Sequence, residues 1–328
     1  MRCGRAWLLA DAACRTIAGS AICHGRTMSP TDPIASDPAA RLARRRRLTR
    51  GLALLTALLM LGVIGLSAFI RLAQTPLAGA DFADAIAIAR AAHRVSASAL
   101  LVLAFMLLAT TLLLRPVLRR AARLASGIVA CTLWLAALGM ASRGSTAPAV
   151  VLGNLLGGFA MFALCLRLAL ASRDDAAGHG GLRRPAGWAL LALLLAIVLG
   201  ALASATALPP SCDGWRECLE AARVAGWDWQ IVNPWFAPTT GAGPGVLQRD
   251  AWLQLLHRGA GLLALLTLLR LDWAAWRQRA HAGTTPLAVL VALELLLLAS
   301  ALLPVGLAQA LAHNLAAALL LGWLARWA

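Results

Sequence analysis

The sequence predicts an all-α integral membrane protein of eight transmembrane helices, arranged as two pseudo-symmetric four-helix bundles. Hydrophobic residues make up 60% of the chain and charged residues only 13%, a composition too apolar for an ordinary soluble protein. Stretches such as 51–70 and 95–114 carry no charge, and about 20 apolar residues span a hydrocarbon core about 30 Å thick. Similar histidine-containing segments also occur in both parts of the chain, which indicates an internal duplication.

The net charge of +16 does not indicate a nucleic-acid partner. All 30 basic residues are arginine, and both lysine and tyrosine are absent, which is typical of a biased coding sequence. The arginines also cluster between the hydrophobic runs, where orientation signals of membrane proteins lie. We therefore expect the chain to contact membrane lipid and to bind no nucleic acid.

The hydrophobic runs divide the chain into a tail, two halves and a linker. Residues 1–49 are irregular and predict a disordered cytoplasmic tail, within which translation starts at either Met1 or Met28. The first half is predicted over 50–172, a cytoplasmic linker over 173–185 and the second half over 186–326. The helices are predicted at 50–70, 88–114, 122–142, 150–172, 186–208, 250–270, 285–303 and 307–325.

The distribution of arginine predicts the orientation in the membrane. With the N-terminus inside, seventeen arginines fall in inner segments and five in outer loops, and positive charge favours the cytoplasmic side. Both termini are thus predicted to be cytoplasmic, in a multi-pass protein of a bacterial inner membrane. The longest loop, 209–249, is then external. It contains Trp215, Trp227, Trp229 and Trp235, and tryptophan favours the membrane–water interface.

Two cysteines of this loop, Cys212 and Cys218, form a close pair outside any predicted helix. In an oxidising compartment such a pair is expected to form a disulfide, and five intervening residues permit its closure. Sequence alone leaves open whether the disulfide is a structural staple or a redox-active pair. Cys131 and Cys165 lie inside apolar runs and are expected to be packing residues.

The internal duplication is clearest at four polar positions on the even-numbered predicted helices, near the predicted outer face. They are His93, Asn154, His257 and His313. Each is followed one helical turn later, on the same helix face, by a small residue. These small residues are Ala97, Gly158, Gly261 and Ala317. The separations, 61 residues in the first half and 56 in the second, indicate one four-helix unit used twice.

Histidines at this depth predict a haem site. Two imidazoles on facing helices can ligate iron axially, and a small residue one turn away lets a flat macrocycle approach the backbone. A single histidine in a membrane helix is more often a hydrogen-bonded packing residue. Three in register across a repeat favour haem over packing. Zinc is less favoured, because its structural sites need four compact ligands.

At these residues the chain resembles the haem A synthase family of cytochrome oxidase assembly enzymes, over about residues 50–325. The segment Ser67-Ala68-Phe69-Ile70-Arg71-Leu72 is similar to the sequence that closes the first helix in that family, and the two His-Arg helix starts and the cysteine pair also agree. The resemblance implies an oxidoreductase that converts the C8 methyl group of haem O into a formyl group. It further implies that His257 and His313 hold a haem b cofactor and that His93 belongs to the substrate-haem site.

The implied partners are haem O as substrate, with haem O synthase or other cytochrome oxidase assembly proteins; a homo-oligomer is also left open. Three features depart from the family pattern. Gly79 and Ala85 occupy the positions at which many members have a cysteine pair in the first loop. Asn154 replaces the second histidine of the first half, and a carboxamide is a poor iron ligand. Arg90 stands three residues before His93, where the family carries a glutamate implicated in catalysis. These departures leave open two alternatives: a non-catalytic haem-binding assembly factor and a b-type electron-transfer cytochrome.

Three further charged residues have two interpretations each. Arg94 and Arg258 adjoin proposed haem histidines and are expected either to pair with haem propionates or to extend to the outer membrane surface. Glu294 lies midway along the seventh predicted helix. An ionisable residue there is a functional candidate, or else a protonated side chain bonded to a neighbouring helix.

Overall fold

The computed structural model describes most of the chain from residue 38 onwards. The described residues are 38–74, 82–114, 117–141, 147–171, 180–205, 212, 214–235, 244–278, 288–289, 291–292, 295, 306–325 and 327. The helices are α1 (Pro38–Leu72), α2 (Ala83–Leu112), α3 (Arg119–Ala141), α4 (Pro148–Ala171), α5 (Arg183–Ala205), α6 (Trp215–Ala225), α7 (Pro244–Arg277) and α8 (Leu307–Leu324). Two short 3₁₀ helices lie at Gly180–Leu182 and Trp229–Val232.

The predicted class, an all-helical multi-pass membrane protein, is confirmed. All regular structure in the described part of the chain is helical, and seven helices, all except α6, are long and apolar enough to cross a membrane. The predicted helix at 285–303 falls largely outside the described residues, although 288–289, 291–292 and 295 are helical. The count of eight spans therefore stays a prediction, as does the role of Glu294, which lies outside the described residues.

Proline marks the start of several helices. Pro38, Pro148 and Pro244 are the first residues of α1, α4 and α7, and Pro185 lies in the first turn of α5. The first backbone N–H groups of a helix have no partner inside it, so proline, which lacks this group, costs nothing there and presets the backbone angle φ. These prolines therefore mark where the helices begin.

Helix α1 begins earlier than the sequence indicated. We predicted a start near residue 50, but the helix begins at Pro38 and includes the arginine run 44–47, because arginine is a good helix former. Within this run the guanidinium group of Arg45 donates hydrogen bonds to the carbonyl oxygens of Thr110, at 2.8 and 2.6 Å, and Thr111, at 3.1 Å. Arg45 thus caps the C-terminal end of α2.

The packing of α5 against α7 is the most extensive in the described bundle. Helix α5 buries a stripe of small residues that includes Ala189, Ala192 and Ala196, and α7 buries Ala260 and Ala264 in the same core. Small residues let two membrane helices approach closely. Close approach of these two backbones determines the surroundings of His257, which precedes Ala260 by about one turn on α7.

Helices α1 and α4 of the first half pack against α8 of the second. A side-chain carbon added at Gly65 of α1 would lie 3.7 Å from Leu315 of α8. One added at Gly322 of α8 would lie 2.6 Å from the ring of Phe162 on α4. Helix α4 also contacts α5, so the two halves share one continuous core.

The segment between α5 and α7 contains a helix that the sequence did not lead us to predict. We expected a loop over 209–249, whereas α6 occupies Trp215–Ala225. Gly214 precedes the helix, and Gly226 ends it with φ of 69°, a conformation that favours glycine and commonly terminates helices. This pair of glycines was the signal in the sequence. The indole N–H of Trp252 on α7 donates to the Gly226 carbonyl at 2.9 Å, which holds the segment on α7.

Candidate functional site

The structure brings together two of the three histidines predicted from the repeat. The rings of His257 on α7 and His313 on α8 have centroids 6.2 Å apart and planes inclined by 76°. They lie 56 residues apart in the sequence, so only the packing of the helices places them side by side. The His257 side chain is partly buried and that of His313 is exposed.

A backbone carbonyl fixes the orientation of the His257 ring. Its Nδ1 atom lies 2.9 Å from the carbonyl oxygen of Ala196 on α5. A carbonyl oxygen can only accept a hydrogen bond, so Nδ1 carries the proton and Nε2 keeps its lone pair. Histidines that bind metals commonly donate their second ring N–H to a carbonyl or carboxylate in this way. In this tautomer Nε2 is the ring nitrogen of His257 that could ligate a metal.

Sequence reasoning missed both α5 residues that contact this ring. One is Ala196; the other is Gly200, one turn further along the helix. A side-chain carbon added at Gly200 would lie 2.6 Å from Cε1 and 2.9 Å from Nδ1 of His257. No local motif marks Gly200, because its importance depends on the register between α5 and α7.

The small residues that follow the two histidines have different surroundings. A side-chain carbon added at Gly261, one turn after His257, would meet no atom within 4 Å. Ala317, one turn after His313, is buried in the core with α5 and α4 residues. There is thus open space beside α7 at the level of His257, as the sequence led us to expect for Gly261.

The first half differs at the corresponding positions. His93 on α2 is partly buried and Asn154 on α4 likewise, and no described hydrogen bond or ring contact joins them. A side-chain carbon added at Gly158 would lie 3.1 Å from Met60 and 3.5 Å from Ile64 of α1. The space that we expected beside Gly158 is therefore occupied by α1, which packs across this face of α4.

Among the charged residues that adjoin the histidines, Arg90 and Arg94 are exposed on α2, while Arg258 is partly buried on α7 beside His257. Arg258 and His313 both make further interactions with the protein. Among the described residues no three His, Cys, Asp or Glu side chains cluster around a common point. A pair of axial ligands needs no such cluster.

The predicted disulfide is present at the base of α6. Cys212 and Cys218 are bonded, with Cα atoms 5.0 Å apart, a separation ordinary for disulfides. Both side chains are buried against Ala251 of α7, with Leu255 packed on the same cluster. Leu255 is two residues before His257, so the disulfide braces the segment of α7 that carries the candidate ligand. Cys131 and Cys165, which we expected to be packing residues, are free cysteines; Cys131 is partly buried and Cys165 is buried.

The fold and the site together define a polytopic helical membrane protein with two histidines from different helices held side by side. Comparison with protein families agrees with this class. The family model described as cytochrome oxidase assembly protein matches residues 74–325, and the chain therefore belongs to that family, the haem A synthase family that its motifs resemble. No individual curated protein matches the sequence.

Proposed function

We propose that the protein is a haem A synthase-like oxidoreductase that oxidises the C8 methyl group of haem O to a formyl group. The observation that carries the proposal is the pairing of His257 and His313 at a centroid separation of 6.2 Å. Family membership supports a role in cytochrome oxidase assembly.

The histidine pair fits a haem b. Imidazole is a common protein ligand of haem iron, and the rings of His257 and His313 come from different helices and lie side by side, with centroids 6.2 Å apart. These two residues would hold the haem. The open space at Gly261 suits the approach of a flat macrocycle to the backbone of α7. A bound haem b would supply a one-electron redox centre.

The chain's own residues would prepare this site. Nδ1 of His257, held by the Ala196 carbonyl, keeps the ring in the tautomer that a metal requires. Arg258, beside His257, offers a guanidinium group that can pair with a haem propionate. In the first half, His93 would bind substrate haem O, with Arg94 available to its propionates.

A second function is favoured by a specific observation. The space beside Gly158 is filled by Met60 and Ile64, and Asn154 and Arg90 replace groups that the family uses. A non-catalytic haem-binding assembly factor would need only the second-half site. For either function we place the protein in a bacterial inner membrane with both termini cytoplasmic, as the arginine distribution indicates. Haem O synthase or other assembly proteins would be its partners.

Expression in a strain that makes haem O but lacks its own haem A synthase distinguishes these functions. Haem A in the extracted pigments, lost in His93→Ala but not in Arg90→Gln, supports the oxidoreductase with His93 at the substrate. Absence of haem A from cells whose purified protein still holds one haem b supports the assembly factor. If the purified protein holds no haem, both functions are refuted.

A further inference from the structure

The contact between α5 and His257 depends on a glycine, Gly200, which has no side chain. In an α-helix each Cα–Cβ bond tilts towards the N-terminus, so the Cβ atom of one residue lies near the carbonyl group four residues earlier. Gly200 is four residues after Ala196, whose carbonyl oxygen binds Nδ1 of His257 at 2.9 Å. To reach this oxygen, the imidazole of His257 passes across the space where a Cβ atom of residue 200 would lie. Such a Cβ atom would be only 2.6 Å from Cε1 of the ring.

We propose that Gly200 and the Ala196 carbonyl form a socket that positions His257 for haem iron. Gly200 acts by leaving room for the ring, and the carbonyl fixes its rotation and tautomer. The socket deepens the proposed function, since it rests on His257 being an axial ligand. Gly200 is a positioning residue: it acts on the haem through His257 and need not contact it.

The first half offers an internal comparison. Ser67 stands at the same distance from the end of α1 as Gly200 does from the end of α5. A side chain is thus present at the corresponding position, and within the described part of the chain His93 makes no hydrogen bond like that of His257. The glycine and the hydrogen bond thus occur together in the second half and are both missing at the compared positions of the first half.

The test substitutes Gly200→Ala in the full chain, with Gly187→Ala as the matched control. Both glycines lie inside α5, but a side-chain carbon at Gly187 would meet nothing within 4 Å. Both substitutions gain the same helix propensity, so a difference between them reports the contact with the ring. We expect Gly200→Ala to weaken haem retention about 10–100-fold, as loss of partners that orient a metal ligand does. The remaining haem should change from a low-spin to a high-spin absorption spectrum, while Gly187→Ala keeps the parent spectrum.

A double-substitution cycle adds a measurement that needs no haem. If the new methyl group collides with the His257 ring, Gly200→Ala should lower the thermal midpoint of the haem-free parent chain but not that of the haem-free His257→Ala chain. The inference is overturned if the two effects are equal, or if Gly200→Ala retains haem with the parent spectrum and affinity. The proposed function has its own outcome: His257→Ala that still holds low-spin haem refutes the ligand assignment, whatever the cycle shows.

Discussion

The buried arginine at the start of the bundle permits a prediction whose size follows from counted hydrogen bonds. Arg45 is 7% exposed and donates to the carbonyl oxygens of Thr110 and Thr111. These carbonyls lie in the last turn of α2, where no later residue of the helix can donate to them. A cation at this end also complements the helix dipole. Arg45 therefore joins the N-terminal part of α1 to the C-terminal end of α2, 65 residues later in the sequence.

We expect Arg45→Gln to destabilise the protein by about 3 kcal/mol. Hydrogen bonds from a charged donor contribute about 1.5–3 kcal/mol each, and the substitution removes those to the Thr110 and Thr111 carbonyls. The estimate stays near the lower end of the sum for two bonds because the Thr111 carbonyl still accepts from the Leu118 N–H at 3.2 Å and the glutamine amide can replace part of one bond. Arg45→Lys should lie between the parent and Arg45→Gln, since an ammonium group cannot donate to both carbonyls with the planar fork of arginine.

The assay is thermal unfolding of the purified protein in one detergent, followed by circular dichroism. Arg44→Gln is the control, because Arg44 is exposed in the same helix and its substitution changes the charge of the predicted cytoplasmic segment equally. Equal thermal midpoints for the two glutamine variants would show that the hydrogen bonds to α2 contribute nothing. A lower midpoint for Arg45→Gln alone supports the helix-capping role.

Three other predictions test the site and the orientation. His257→Ala should remove most of the tightly bound haem while His93→Ala leaves it in place, as absorption spectra of the purified variants would show; the reverse result would mean that the halves are assigned wrongly. Cys218→Ser should lower the thermal midpoint by an amount corresponding to about 2 kcal/mol, which is the loop-closure free energy expected for a disulfide that encloses so few residues. An unchanged midpoint would exclude a stabilising role for the disulfide. A reporter active only outside the cytoplasm should be active when fused after Trp235 and inactive after Gln278, and the opposite pattern would refute the orientation.

The spans could be predicted from sequence because the hydrocarbon thickness imposes a length that composition reveals directly. For six of the seven described spanning helices the predicted starts were within about six residues of the observed ones. The boundary of α1 was missed because hydropathy reports where a helix enters lipid and not where it begins. Residues 38–49 are too charged for the bilayer, yet arginine continues a helix readily. Helix α6 was missed for the related reason that an amphipathic helix of eleven residues contains no long apolar run. Its signal is the helical spacing of its apolar residues, which a search for membrane spans does not detect.

The histidines of the site could be found from sequence because polar residues are costly inside a membrane and therefore conspicuous. The residues that hold them could not. Gly200 is one glycine among 28, and Ala196 contributes a carbonyl group that every residue possesses. Their roles follow from the register of α5 on α7. This register is set by the packing of small residues such as Ala192 and Ala264 and cannot be derived from the sequence of either helix alone.

Gly158 and Gly261 occupy matching positions of the repeat but have different surroundings in the structure. Each follows a polar residue by one turn on an even-numbered predicted helix, so the sequence predicts open space beside both glycines. In the structure Met60 of α1 fills the space beside Gly158, whereas no atom lies within 4 Å of the position that a Cβ would take at Gly261. A small residue creates room for a ligand only where no neighbouring helix uses that room for close packing. On the proposed function, the duplicated motif specifies only where a haem site can form. The neighbouring helix then decides the outcome: α1 fills the space beside Gly158, whereas α5 binds His257 next to the open space at Gly261.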